Sequence, residues 1–234
     1  MSAVASYQLP VTGYRQPATV YAISIPARTF TGDFWFTHRT RERLWFAVGD
    51  VAGKGLPAAL VMAMIQEELE HRIASCARTG CDPAVTVQRI DAFLRPLLPR
   101  NRFATMAAGW LADDGTLHIV NAGHCPPLIV RNDGRLDPIP STGPVVGVLK
   151  SAAWRTATLT LAPGEHLLLY TDGVTEAAPV NSDDEFGRHG IERALCCAPR
   201  DSAQALATAV FDAVKQHAGG KLSDDLTVLA VMNI

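Results

Sequence analysis

Four places in the chain set an aspartate at the edge of an apolar run: Asp33, Asp50, Asp172 and the pair Asp224-Asp225. At the first three a glycine adjoins the acid, as Gly32, Gly49 and Gly173. A carboxylate at the end of a buried strand is costly to desolvate unless something positive meets it. The nearest basic residues, Lys54 and Lys221, are too few to serve all of these acids. Carboxylates that converge without enough basic partners repel one another unless hard divalent cations bind between them. Oxygen ligands suit Mg²⁺ or Mn²⁺, whereas zinc favours His or Cys. Taken singly, each Asp also fits a turn residue or a helix cap, as Asp113-Asp114 and Asp133 do. Spacing alone does not bring the four places together.

The stretch Val48 to Leu60 carries the sharpest version of the question. An apolar run, Leu44 to Val48, delivers the chain to Asp50; a glycine-bearing turn follows, and Pro57 stands where a helix opens. Gly49-Asp50-Val51-Ala52-Gly53-Lys54-Gly55 superficially resembles a phosphate-binding P-loop. That motif needs four residues between its glycines, then Lys and Ser or Thr. Here Gly49 and Gly53 enclose three, and Gly55 follows Lys54. The match fails on both counts, and no G-x-G-x-x-G is present.

The elements that position these acids follow from periodicity. Residues 18–25, 30–37 and 44–48 read as strands, the last two joined by the polar turn at 40–43 into an antiparallel hairpin. From Pro57 the period becomes helical, with Ala58, Val61, Met62, Ile65, Leu69 and Ile73 on one face and Gly80 past the end. Asp82-Pro83 opens a second helix with Val87, Ile90, Phe93 and Leu94 on its apolar face. Strands are predicted at 103–111, 116–121, 127–130, 154–161 and 166–170, with a Gly- and Pro-rich loop at 138–150 and another loop at 177–187. A short helix spans 190–197. A longer one is capped by Asp201, with Gln204 at the capping-box position, and ends at Gly219-Gly220; a final strand covers 226–234. Helices are grouped rather than alternating with strands, so the sheet is expected to be largely antiparallel.

Composition bounds the rest. With 234 residues, 48% of them hydrophobic, the chain can bury a sizeable core. The net charge of −2 and the scatter of Lys and Arg give no basic stripe for nucleic acid. No apolar run approaches the roughly 18–20 residues of a membrane span. The first residues lack the pattern of a secretory signal, so the expectation is a cytoplasmic protein with residues 1–16 as a tail and 17–234 as one domain. Five cysteines without a C-x-x-C make neither a disulfide framework nor a zinc ribbon.

Read together, Thr31 to Trp35 (TGDFW), Val48 to Ala63 (VGDVAGKGLPAALVMA), Phe103 to Met106 (FATM), Asn121 to Val130 (NAGHCPPLIV), Tyr170 to Ala177 (YTDGVTEA) and Asp224 to Val231 (DDLTVLAV) resemble the bacterial SpoIIE/RsbU branch of the PP2C-type (PPM) serine/threonine phosphatases. The stretches occur in the family's order and cover nearly the whole chain from about residue 18. The resemblance implies an α+β fold, a four-layer α-β-β-α sandwich of two antiparallel sheets flanked by helices. It also implies a centre of two Mn²⁺ or Mg²⁺ ions. Asp50 matches the carboxylate bridging both ions, with the Val51 carbonyl as a backbone ligand. Asp172 and Asp224 match further ligands, Asp225 is a neighbour of Asp224 in the same motif, and Asp33 matches an acid serving the second ion. The resemblance implies Asp50, Asp172 and Asp224 as the catalytic set. The implied chemistry is attack on a phosphoserine or phosphothreonine by a metal-activated water, with no covalent phosphoenzyme. Cys125 beside His124 then need not be a nucleophile, and it lacks the glycine-rich cradle of a thiol phosphatase.

The chain departs from the family at three positions. Thr31 replaces a glycine, Phe36 stands where a second acid is common, and Ala52 stands where the eukaryotic branch has a histidine. The family's usual substrate is a phosphorylated STAS-domain protein, an anti-sigma-factor antagonist in a partner-switching pathway. The helices at 57–79 and 82–98 are the candidate regulatory surface, open to a regulatory protein or a homodimer partner. The alternative is a weak or inactive phosphatase-like module that sequesters a signalling partner.

Overall fold

The computed structural model describes residues 5–8, 17–27, 29–76, 81–98 and 102–234. The chain divides into two compact units, one of residues 1–29, 127–138 and 161–234, the other of residues 30–126 and 139–160. Every ladder in both sheets is antiparallel. This is the pattern expected from the grouping of the helices.

The second unit is built on five strands: β3 (Asp33–Arg39), β4 (Arg43–Val51), β5 (Ala104–Ala112), β6 (Thr116–Ala122) and β9 (Ala157–Thr160), adjacent in that order. Two helices, α1 (Leu56–Cys76) and α2 (Pro83–Leu94), cover this sheet, α1 against β3 and β4 and α2 against β5 and β6. The apolar stripe of α1 packs as its spacing predicts: Ala58, Val61, Ile65, Leu69 and Ile73 are buried in one core with Phe34, Trp45, Met106 and Val120. Asp82 caps α2 through its side chain, which accepts from the Ala84 N–H, and Pro83 occupies the first turn.

The first unit holds six strands in the order β1 (Ala5–Gln8), β2 (Ala18–Ile25), β11 (Leu226–Asn233), β10 (His166–Tyr170), β7 (Leu128–Val130) and β8 (Leu136–Pro138). The short α3 (Asp172–Thr175) follows β10, and α4 (Gly187–Cys197) and α5 (Ala203–His217) pack together, α5 lying over β2 and β11. Both central strands, β10 and β11, are apolar over almost their entire length, as strands buried on two faces must be.

Several boundaries differ from the sequence reading. Ala5–Gln8 lies within the stretch read as a tail, yet it pairs with β2 as an edge strand. The strand expected at 154–161 shortens to Ala157–Thr160, because Trp154 turns aside to donate its indole N–H to the Pro144 carbonyl at 2.7 Å. β8 falls where a turn and a loop were expected; it is three residues long and pairs only with β7. Phe93 is 38% exposed, and the buried side of α2 instead includes Thr86 and Asp91. Asp91 earns that place by accepting the Gly147 N–H at 2.8 Å. The cap of α5 is Ser202 rather than Asp201, its hydroxyl accepting from the Ala205 N–H. Cys81 is disulfide-bonded, a linkage that the irregular cysteine spacing did not announce. Gly80, expected to end the first helix, lies outside the described residues.

Candidate functional site

In the five-stranded unit, β4 is longer than its apolar core. It carries Gly49, Asp50 and Val51 inside the ladder, with Asp50 opposite Thr105 on β5 and opposite Asp33 on β3. Asp33 is 4% exposed and opens β3, and the preceding Thr31 fixes it: the Asp33 N–H donates to Thr31 Oγ1 at 3.0 Å. Thr31 therefore acts as a local cap at the start of β3. Asp50 is half-buried, and Val51 is fully buried.

The close approach at Gly32 defines what this strand end offers. A Cβ built on Gly32 would lie 2.8 Å from Asp50 Oδ1 and 2.8 Å from the Val51 carbonyl oxygen. One carboxylate oxygen and one main-chain oxygen thus pack against Gly32, where any side chain would collide with both. The Val51 N–H donates to the Gly32 carbonyl at 3.2 Å, which ties the two backbones together at that point. Two hard oxygen donors with a second carboxylate in register fit Mg²⁺ or Mn²⁺ and not a thiolate- or imidazole-seeking metal.

Beyond Val51 the chain bends. Gly53 and Gly55 have φ of +105° and +79°, values that favour glycine, and α1 begins at Leu56. His124 is buried. Its N–H donates to Asn121 Oδ1 at 2.8 Å, and its Nδ1 lies 2.9 Å from Thr105 Oγ1, on the residue facing Asp50. Cys125 is half-buried and is not part of a disulfide.

In the six-stranded unit, Asp172 opens α3 and the Asp224-Asp225 pair precedes β11. The two segments are stapled to each other. The Thr171 N–H donates to the Thr227 carbonyl at 3.1 Å, and the Thr227 N–H donates to Thr171 Oγ1 at 3.0 Å. Gly173 fits so closely that a Cβ there would collide with the Asp225 carbonyl. The Asp225 carboxylate accepts the Ala27 N–H at 2.8 Å, and Asp224 Oδ1 accepts the Asp225 N–H at 3.0 Å. Asp172 and the 224–225 pair are thus neighbours within one unit, and Asp33, Asp50 and Val51 are neighbours within the other. Among the described residues, no group of three or more His, Cys, Asp or Glu side chains is arranged to hold a metal ion.

Comparison with known proteins matches residues 40–232 to the family described as Stage II sporulation protein E. The chain is 28% identical over 214 residues to the phosphoserine phosphatase RsbU of Bacillus subtilis, an alignment covering 90% of this chain and 62% of RsbU. It is 30% identical over 244 residues to protein IcfG of Synechocystis, covering 91% of this chain and 37% of IcfG. Both curated relatives are therefore considerably longer than the part matched here. Among solved structures, the PP2C domain of SiaA from Pseudomonas aeruginosa superposes with a TM-score of 0.79 at 21% identity, covering 91% of this chain and 85% of that one. The two antiparallel sheets with flanking helices match the PP2C-like α+β sandwich fold. The chain belongs to the SpoIIE/RsbU family of PP2C-like (PPM) serine/threonine phosphatases.

Proposed function

We propose that the chain is a Mn²⁺- or Mg²⁺-dependent phosphoprotein phosphatase that hydrolyses phosphoserine or phosphothreonine on a small STAS-domain protein, an anti-sigma-factor antagonist in a partner-switching pathway. The observation that carries this reading is the close approach of Asp50 Oδ1 and the Val51 carbonyl oxygen at Gly32, with Asp33 opposite Asp50 in the ladder. Family membership supports the reaction class, and the name of the relative RsbU, a phosphoserine phosphatase, supports the phosphoserine substrate.

On this reading Asp33, Asp50, Val51, Asp172 and Asp224 would be the ligands of two ions, with Asp225 next to Asp224 in the same motif. When bound, the ions supply Lewis-acid polarisation of the phosphoryl oxygens and an acidified water. The chain's own residues do the rest. Gly32 keeps bulk away from the donor oxygens, and Thr31 orients the Asp33 backbone. The Thr171–Thr227 staple holds the Asp172 and Asp224 segments at fixed spacing, so little reorganisation is needed at the moment of reaction. The position after Val51 is Ala52, which has no proton to give; the leaving oxygen takes its proton from solvent.

The deciding experiment is a Mn²⁺-dependent assay with p-nitrophenyl phosphate and with a phosphorylated STAS protein, comparing the wild type with Asp50→Ala. The reading expects metal-dependent turnover of both by the wild type and its loss in the variant. Equal inactivity of the two proteins, with no metal bound to either, would sink it. A second reading, a phosphatase-like module that binds a signalling partner without turnover, draws on the absence of a three-residue metal cluster among the described residues. It expects binding of the STAS protein without release of phosphate.

A further inference from the structure

One side chain, that of Arg102, is bonded to the bend that follows Asp50. The Ala52 N–H donates to the Phe103 carbonyl at 2.9 Å, and the Ala52 carbonyl accepts from Arg102 Nη1 at 2.9 Å. Both main-chain polar groups of Ala52 are therefore tied to the Arg102-Phe103 step. The guanidinium continues beneath Gly53. A Cβ built on Gly53 would collide with Nη1 and would lie 3.0 Å from Cζ and 3.4 Å from Nη2. Gly53 thus meets two requirements at once: a φ of +105°, and room for a planar cation to lie directly on the main chain.

An arginine carries five N–H donors, and the bond to Ala52 uses one of them. Among the described residues, Arg102 makes no other side-chain hydrogen bond and no ion pair. The side chain is half-buried, so its remaining donors are only partly served by water. The fork of a guanidinium matches the paired oxygens of a phosphoryl group better than any lysine does. Gly53, against which the fork rests, is three residues from Asp50, a span of at most about 11 Å even when fully extended.

We propose that Arg102 is a positioning residue for the substrate's phosphoryl group. One Nη1 donor locks the Ala52-Gly53 bend, and the free edge of the same guanidinium takes a non-bridging phosphoryl oxygen. The inference rests on the phosphatase reading above and adds to it a residue outside every acidic motif. It also assigns Gly53 a purpose: a side chain there would push the guanidinium away from the bend. A purely structural clamp would make a different prediction, namely altered stability or metal binding with phosphate affinity untouched.

The test uses the full chain with saturating Mn²⁺, and inorganic phosphate as the probe. Phosphate affinity is read by isothermal titration and by competitive inhibition of p-nitrophenyl phosphate turnover, for the wild type, Arg102→Lys and Arg102→Ala. Arg102→Lys keeps the charge and can keep the bond to Ala52, so it separates the fork from the clamp. The expected result is roughly tenfold weaker phosphate binding or more in both variants, the scale of one charge-assisted hydrogen bond. KM should rise with it, Mn²⁺ affinity of Arg102→Lys should stay within about twofold, and added guanidinium ion should partly rescue Arg102→Ala. An active wild type whose phosphate affinity is unchanged in Arg102→Lys overturns the role of Arg102 and leaves the phosphatase reading standing. A wild type that turns over nothing, yet loses phosphate binding in Arg102→Lys, sinks the phosphatase reading and keeps the anion site.

Discussion

Asp33 and Asp50 stand directly opposite each other in the β3–β4 ladder. Like charges facing across an antiparallel pair destabilise it by roughly 0.2–1 kcal/mol, and a cation between them reverses the sign. Asp33→Asn should therefore raise the stability of metal-free protein by about that amount. It should also shrink the stabilisation that saturating Mg²⁺ brings. Urea unfolding with and without Mg²⁺ measures both, and an unchanged Mg²⁺ response would remove this pair from the metal site.

Asp50→Ala should cost activity far more than stability. Turnover of p-nitrophenyl phosphate is expected to fall by roughly a hundredfold or more, the scale on which loss of one electrostatic stabiliser is felt. Thermal unfolding of the metal-free variant should stay close to that of the wild type, since Asp50 is only half-buried. A large drop in stability with activity retained would show that the acid serves the strand end alone.

Gly173 and Gly55 should respond differently to alanine. At Gly173 the added carbon meets the Asp225 carbonyl, main chain against main chain, and nothing flexible can yield. Overpacking of this kind costs about 1–3 kcal/mol, and here it would also separate the Asp172 and Asp224 segments. At Gly55 the added carbon meets nothing within 4 Å, and only the φ of +79° opposes it. That costs roughly 1–2 kcal/mol. Calorimetry of the two variants, with Mn²⁺ titration of each, should show lost metal affinity for Gly173→Ala and little change for Gly55→Ala.

His166 should make the fold sensitive to acid. Its ring is fully buried in β10; burial, with help from the nearby Arg200 and against the pull of Asp201, lowers its pKa below the ordinary 6.5. The unfolded chain then binds a proton that the folded chain refuses. Stability rises with pH up to about 6.5 and falls as pH drops below it, towards the lowered folded value. Urea midpoints between pH 5 and 8 should show this slope in the wild type, and a flatter one after His166→Gln, compared as slopes because the substitution also lowers the midpoint.

Ser202→Ala should cost about 1 kcal/mol through the loss of the α5 cap, and Asp201→Ala much less. The pair of unfolding midpoints tests which of two adjacent polar residues holds the helix end. The sequence favours Asp201 by the capping-box spacing to Gln204, whereas the backbone of Ser202 is extended and its hydroxyl reaches the Ala205 N–H.

Much of this could be read before any coordinates. Asp82-Pro83 opens α2 as local chemistry requires, and the buried stripe of α1 follows the 3.6-residue period from Ala58 to Ile73. Phe93 escaped that logic. Period placed it inward, but Asp91 takes the buried side because the Gly147 N–H, 56 positions away, offers it a partner. β8 and β9 were missed or misjudged because they are three and four residues long, too short for alternation to register. Arg102 gave no signal at all, since nothing in the letters around it says that a glycine 49 positions earlier leaves it room.

By itself the sequence made the candidates legible. Acids beside glycines at strand ends, with few basic partners and no His or Cys constellation, make hard oxygen-loving cations the expected ligands, and the order of six short motifs resembles one family. Residue type and local period are properties of neighbouring positions, so they survive in a one-dimensional string. Tertiary structure alone decided which oxygens come close and which side chains meet. It set Asp33 against Asp50, packed Asp50 Oδ1 and the Val51 carbonyl oxygen against Gly32, stapled Thr171 to Thr227, and laid Arg102 beneath Gly53. Those pairings depend on strand register and close backbone approach. Both arise from the summed packing of distant segments rather than from any one stretch of chain.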